Sequence, residues 1–278
     1  MKSCSFFNGF LKTIFMLAVC ALSVSSANAT IILEGSDALG FHSTSGDAGA
    51  IAYRDQVWSA IGGSDSRRIA VIGDNVSGIS SLTHAISTFN SVAAAGPLSN
   101  YVAVYFQATG GCCTENDTLI SAASDQTAVS SYLSSGGTIM IEDYIGGAAW
   151  DFAIGTTGGA ASHVQGYGGG AAGGANCSDG ETVTASGLTN GFTQPPAIGC
   201  WGHQAYDQAG FFAALGFTES FFDAGPAYSV GFSSILSNGL TVTGVASSVP
   251  EPTSIALLGF GLLGFAASRS KSVKTKNA

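Results

Sequence analysis

The sequence predicts an α/β fold, a mostly parallel sheet with flanking helices and glycine-rich loop insertions. Three observations carry that expectation. Short, wholly apolar runs recur about one βα unit apart, as strands buried on both faces require. The segments between them step at helical period. The chain of 278 residues has 46% hydrophobic and only 10% charged residues with 39 glycines, too apolar for a disordered chain and long enough for one large domain or two modest ones.

Lys2 and Lys12 flank an apolar run from Thr13 to Val24, and Ala27-Asn28-Ala29 fits the small-x-small rule for signal peptidase. A run of 12 residues is too short to span ~30 Å of hydrocarbon as a helix, so residues 1–29 read as a cleaved signal helix with Thr30 the first mature residue. The body then gives apolar runs at Ile31-Ile32-Leu33, Ile69 to Ile72, Tyr101 to Phe106 and Thr138 to Ile141, four expected strands. One helical stripe is Ile51, Arg54, Val57, Trp58 and Ile61; a second is Leu82, Ala85, Ile86, Phe89, Val92 and Ala93. A third, Leu119, Ala122, Gln126, Val129 and Leu133, ends at Gly136-Gly137, where a left-handed carboxyl cap belongs.

Beyond Ile145 the pattern loosens into a glycine-rich stretch, residues 155–174, read as a flexible surface loop, with a lid over the sheet's edge as the sharper alternative. Gly187 to Asn190 and Pro195-Pro196 read as further loops, Phe211 to Leu215 as a short helix, and Tyr228 to Phe232 and Leu240 to Val245 as late strands, before a linker at 246–248.

Val249-Pro250-Glu251-Pro252 opens the last segment, followed by seventeen uncharged residues from Pro252 to Ser268 and then Arg269, Lys271, Lys274 and Lys276. A helix of that length reaches ~26 Å, and the basic cluster would hold its end on the cytoplasmic side. These residues resemble the PEP-CTERM sorting signal: a VPEP box, an apolar transmembrane helix and a basic tail. The resemblance implies recognition by an exosortase, a membrane enzyme that removes the tail and passes the protein to the cell surface or an exopolysaccharide matrix. The expected division is therefore a signal peptide at 1–29, an exported domain at 30–248 and a sorting signal at 249–278.

The strand-helix order of the body resembles the flavodoxin-like sheet of class I glutamine amidotransferase-like domains, including the trehalose-utilisation type. The local match runs from Tyr101 to Gly147, through Ala108-Thr109-Gly110-Gly111 and a helix ending at Gly136-Gly137. Active members carry a nucleophilic cysteine in a tight turn after a strand; here that strand ends Glu142-Asp143-Tyr144-Ile145-Gly146-Gly147, without a thiol. Gly202-His203-Gln204 falls where a triad histidine would stand, but no acidic residue follows at the familiar spacing.

Charge narrows the function classes. The net charge of −9 hides a body in which residues 30–248 hold seventeen carboxylates against Arg54, Arg67 and Arg68, a balance of −14 with no lysine. Such a body argues against nucleic acid as a partner, because phosphate binding is driven by Lys and Arg. Cys4 and Cys20 leave with the signal, and Cys112, Cys113, Cys177 and Cys200 remain in an oxidising compartment. Adjacent cysteines rarely pair, so the expected disulfides are Cys112–Cys177 with Cys113–Cys200 or the crossed alternative.

Carboxylates follow several strands: Glu34 and Asp37, Asp74, then Glu142 and Asp143. In an open α/β sheet ligands bind at the carboxyl edge, so Asp37, Asp74, Glu142 and Asp143 are candidate oxygen ligands for Ca²⁺ or Mg²⁺, with turn and cap roles as the plainer reading. His42 and His203 could join as ligand or general base. Asn75, Asn116 and Asn176 sit in Asn-x-Ser/Thr triplets, and Trp150, Tyr167, Trp201 and Tyr206 could stack on sugar rings. The leading expectation is an exported body that binds a partner, exopolysaccharide among the options, without catalysis. The alternative is an extracellular hydrolase with Asp37, Asp143 and His203 as acid-base groups.

Overall fold

A computed structural model describes residues 29–73, 83–107, 117–166, 182–224 and 231–238. The expected signal helix, sorting segment and strand at Leu240 to Val245 lie outside these residues. Among the described residues no helix is long and apolar enough to cross a membrane.

The strands are β1 (Thr30–Glu34), β2 (Arg68–Ile72), β3 (Ile86–Phe89), β4 (Tyr101–Phe106), β5 (Thr138–Glu142), β6 (Val164–Gly166), β7 (Thr182–Val183), β8 (Gln204–Asp207), β9 (Thr218–Glu219), β10 (Phe222–Asp223), β11 (Phe232–Ser233) and β12 (Ile235–Asn238). The helices are α1 (Ala48–Gly62), α2 (Val92–Ala95), α3 (Ala123–Ser134), α4 (Asp151–Ile154), α5 (Ala185–Thr189) and α6 (Phe211–Ala214). A larger sheet has the order β3-β2-β4-β5-β1-β12-β9, and a smaller one β6-β8-β11-β10-β7. The first five strands of the larger sheet run parallel, as the apolar runs predict. Its far edge, β12 and β9, is antiparallel, and so is the whole smaller sheet.

Strand alternation splits the core into two layers. Ile32, Val71, Tyr105 and Met140 pack under α1 with Tyr53, Val57 and Trp58. Ile31, Leu33, Ile72, Phe106, Ile139 and Ile141 pack on the other face with Val129, Tyr132 and Trp150. Burying a side chain of this size contributes about 1.5–3 kcal/mol, so continuous apolar strands with helices on both faces are the stable arrangement. Asp47 caps α1 by accepting from the Ala50 N–H at 2.9 Å. The carboxyl end of α3 closes as the glycines predict. Gly136 takes φ +86°; its N–H donates to Leu133 O and the Gly137 N–H to Tyr132 O, the paired bonds of a left-handed cap.

The strand order corrects the flavodoxin-like expectation. In the order 2-1-3-4-5 the first strand lies inside the sheet. Here β3-β2-β4-β5 fills the first four places of that order when β2 counts as its first strand, and β1 fills the fifth, against β5. The chain leaves β2 toward β3 and leaves β4 the opposite way toward β5, which puts a topological switch point between β2 and β4.

Several elements depart from their sequence reading. Among the described residues of the second stripe, Ile86–Phe89 is an edge strand and only Val92–Ala95 is helical. Over so few residues an apolar period does not separate strand from helix. The third stripe breaks: Asp117–Ile120 is a tight 3₁₀ turn and α3 starts at Ala123. Gly187 to Thr189, read as loop, lies in α5, where Thr184 Oγ1 accepts from the Gly187 N–H at 2.9 Å. Within the described part of the glycine-rich stretch, Ala160 is buried and Val164–Gly166 pairs with β8. Residues 167–174, which the lid alternative needs, lie outside the described residues.

Candidate functional site at the carboxyl edge

β1 and β5 carry the matched sequences Thr-Ile-Ile-Leu-Glu and Thr-Ile-Met-Ile-Glu, paired in register so that Glu34 stands beside Glu142. Both carboxyls lie on the face covered by α1 and both are buried. Glu34 Oε1 accepts from Tyr53 Oη and Ser36 Oγ, each at 2.9 Å. Glu142 Oε1 accepts from the Gly40 N–H at 2.8 Å. Burial, then the Glu142 charge, push the Glu34 pKa well above the carboxylate range, with Asp143 adding to the rise; the Tyr53 and Ser36 bonds oppose it. The pair therefore keeps a proton where isolated carboxyls would have lost it. The Tyr105 phenol is pushed well up by burial first and then by Glu142 and Glu34.

Gly40 is required by close approach rather than by backbone twist. A Cβ there would stand 2.7 Å from Glu142 Oε2 and nearer still to Gln107 Nε2. The buried Gln107, first residue after β4, thus lies against the same turn.

The second part of the edge is an aspartate between two histidines. Asp37 precedes a π-helical turn, Ala38–His42. His42 Nε2 lies 3.2 Å from Asp37 Oδ1, and His203 Nε2 lies 3.1 Å from Oδ2. The Asp37 N–H donates to Trp201 O at 3.1 Å, which ties this turn to the segment carrying His203. Burial pushes the Asp37 pKa up, but the bonds from His203 and His42 outweigh it and hold the carboxyl below its usual value. The Asp37 bond raises His42 against the opposing effect of its partial burial. His42 Nε2 also lies 3.3 Å from Cys200 O. Cys200 is disulfide-bonded and takes φ +57°, a conformation non-glycine residues adopt at some cost.

Asp143 has φ +51° directly after β5 and is fully buried. It occupies the strained turn where the amidotransferase resemblance expects a thiol, and its charge acts on Glu34 and Tyr105. Of the proposed oxygen ligands, Asp37, Glu142 and Asp143 all stand at this edge, and Asp74 lies outside the described residues. Among the described residues no group of three or more His, Cys, Asp or Glu side chains is arranged to hold a metal ion. Glu142 Oε1 accepts from the Gly40 N–H, and the two Asp37 oxygens face His42 and His203.

Cys112, Cys113 and Cys177, together with Asn75, Asn116 and Asn176, lie outside the described residues. The sugar-stacking expectation is corrected for three aromatics. Trp150, Trp201 and Tyr206 are buried; Trp201 packs edge-on against Tyr53 and Phe222, and Trp150 against Phe106. Tyr167 lies outside the described residues. Exposed aromatic surface sits at Phe41 and Phe152 instead. Sequence reasoning missed Tyr53, Tyr105, Gln107 and Gly40. The repeated Thr-Ile-x-x-Glu strands were the signal that could have paired Glu34 with Glu142.

Comparison with known proteins assigns the far end of the chain. Residues 248–270 match the PEP-CTERM protein-sorting motif. The chain carries a PEP-CTERM sorting signal. The match spans the Val249-Pro250-Glu251-Pro252 box, the apolar run and the first basic residue, Arg269. No curated protein and no solved structure matches the chain, so the amidotransferase and flavodoxin-like resemblance of the body gains no support from them.

Proposed function

We propose that the chain is an exported protein, sorted by an exosortase to the cell surface or an exopolysaccharide matrix, whose α/β body is a binding module. The observation that carries this reading is the PEP-CTERM match over residues 248–270. In it, signal peptidase removes residues 1–29 after Ala29, residues 30–248 form the exported domain, and 252–268 hold the chain transiently in the membrane until the exosortase acts near Val249-Pro250-Glu251-Pro252. Cys200 pairs with Cys113 or Cys112, and Cys177 with the other. Immunoblots of an exosortase-deficient host test the sorting step: the tail should be retained and the protein should stay in the membrane fraction. Unchanged processing would overturn it.

A second reading, an extracellular hydrolase, is favoured by one arrangement, the Asp37–His203 contact at 3.1 Å on the edge that carries Asp143 at φ +51°. An acid orienting an imidazole is the logic of general-base catalysis. Turnover of a matrix glycan or ester that is abolished by both Asp143→Asn and His203→Ala would establish it; binding without turnover would reject it.

A further inference from the structure

The π-helical turn at Ala38–His42 begins a few residues after β1, and π-helical turns are rare and often occur at functional sites. Its last two residues break the burial pattern of the edge. Leu39 and Gly40 are buried, whereas Phe41 is 41% exposed, a large apolar ring left in water. The ring is not loose: it meets the His42 ring edge-on, with centroids 5.2 Å apart and planes at 85°. His42 is itself fixed, since Asp37 Oδ1 and Cys200 O both face its Nε2. That leaves Nδ1 without a hydrogen-bond partner among the described residues. Beside it, Thr44 Oγ1 donates to Gly40 O at 2.6 Å and Ser45 Oγ to Phe41 O at 2.8 Å. Each hydroxyl spends its proton on the backbone and keeps its lone pairs for an incoming donor. The turn thus presents one apolar ring beside polar atoms held in place.

Charge selects among ligands for such a patch. The three arginines of the body are engaged elsewhere. Arg67 chelates Asp65, Arg54 is buried beside Asp55, and Arg68 donates to Ser87 Oγ and Ile86 O. With seventeen carboxylates in residues 30–248, an anionic polymer meets repulsion without a compensating receptor. A ligand that stacks through C–H groups, donates hydroxyls and carries no charge meets neither obstacle.

We propose that Phe41 and His42 form a binding platform for a neutral pyranose of a polysaccharide, with Phe41 under the sugar ring, Ser45 Oγ accepting from one hydroxyl and His42 Nδ1 hydrogen-bonded to another. The proposal rests on the reading of the body as a binding module and gives that module its ligand class. Trp150, Trp201 and Tyr206 play no part, because they are buried.

Affinity electrophoresis of the exported protein through gels containing hydroxyethylcellulose, dextran or alginate tests it. At least one neutral polymer should retard the protein and alginate should not. Phe41→Ala, at an exposed position, should weaken the apparent affinity about tenfold. Phe152→Ala removes a comparably exposed ring, 36% exposed and stacked on Trp150 instead, and should leave mobility unchanged. Retardation that persists in Phe41→Ala would overturn the platform while leaving the binding module standing. No retardation by either neutral polymer, or retardation by alginate alone, would overturn the platform and its ligand class, and loss in all three gels would count against the binding module as well. The exosortase immunoblot reads sorting separately from each of these outcomes.

Discussion

Among the described residues an aspartate pairs with histidine in two places, and the surroundings differ. At the carboxyl edge of the larger sheet Asp37 lies buried between His42 and His203, with side-chain exposures of 2% for Asp37 and 5% for His203. On the smaller sheet His163 Nδ1 lies 3.3 Å from Asp207 Oδ2, with exposures of 38% and 25%. The contact distances are nearly alike, yet water reaches only the second pair freely. Coulomb attraction is screened at the surface and strengthened in the interior, while burial makes an unpaired charge expensive. The first pair therefore supports the fold of its edge, and the second is held mainly by packing: His163 stacks on Phe211 at 4.3 Å with planes 9° apart.

The largest effect follows at Asp37. Asp37→Ala leaves two imidazoles without their shared acceptor, one of them buried, and should cost about 3–5 kcal/mol in urea unfolding. The pH dependence has two limbs. The Asp37 value is lowered in the folded state, so its contribution is present above the ordinary aspartate range and is lost as pH falls through the lowered folded value. The His42 value is raised, so its contribution is full below the ordinary histidine value and is lost as pH rises through the raised one. The bridge is strongest between about pH 4 and 6.5, between those ordinary values. Asp37→Ala should flatten both limbs of a stability profile; an unaltered profile would remove the bridge from the account.

The carboxyl pair on the same edge behaves in the opposite sense. Glu34 has its value raised in the folded state, so the folded protein binds more protons than the unfolded chain above the ordinary Glu range. Stability then falls as pH rises, until the raised folded value is passed. Glu34→Gln keeps the shape of the protonated side chain, so its melting temperature should gain on the parent between pH 5 and 8. Equal gaps at both pH values would show that the pair holds no proton. Gly40→Ala drives a methyl group against Glu142 and Gln107 and should cost about 1–3 kcal/mol by overpacking, read by thermal melting.

The same contrast explains what the sequence disclosed. Strands buried on both faces read plainly, because Tyr101–Phe106 and Thr138–Ile141 need no partner pattern to be recognised as apolar runs. The antiparallel strands did not, because β7, β9, β10 and β11 are two residues each and carry no period. Even β12, which pairs with β1, has the sequence Ile-Leu-Ser-Asn, with half its residues polar. At the site, Asp37, Asp143 and His203 were legible as polar residues flanking strands. Their partnerships were not, since the acid facing His203 lies 166 positions earlier in the chain. Spacing rules that look for an acid after the histidine cannot see a contact set by the pairing of Ser36 with Gly202.

The smallest effect is expected at the second pair, and its partition is informative. Asp207 accepts not only from His163 but also from the Gly210 N–H at 2.8 Å and the Phe211 N–H at 3.3 Å, where α6 begins. A Cβ at Gly210 would stand 2.5 Å from Asp207 Oδ2, so the glycine permits that approach. His163→Ala loses a screened contact with Asp207 and one ring stack and should cost no more than about 1 kcal/mol. Asp207→Ala also frees two backbone donors and should cost about 0.5–2 kcal/mol. If the histidine matters mainly through its stack on Phe211, His163→Phe should recover most of the loss in the presence of Asp207, whereas Asp207→Asn should cost little in either background. A double-mutant cycle of His163→Ala with Asp207→Asn giving a coupling near that expected for a buried pair, ~3 kcal/mol, would erase the distinction between the two aspartates.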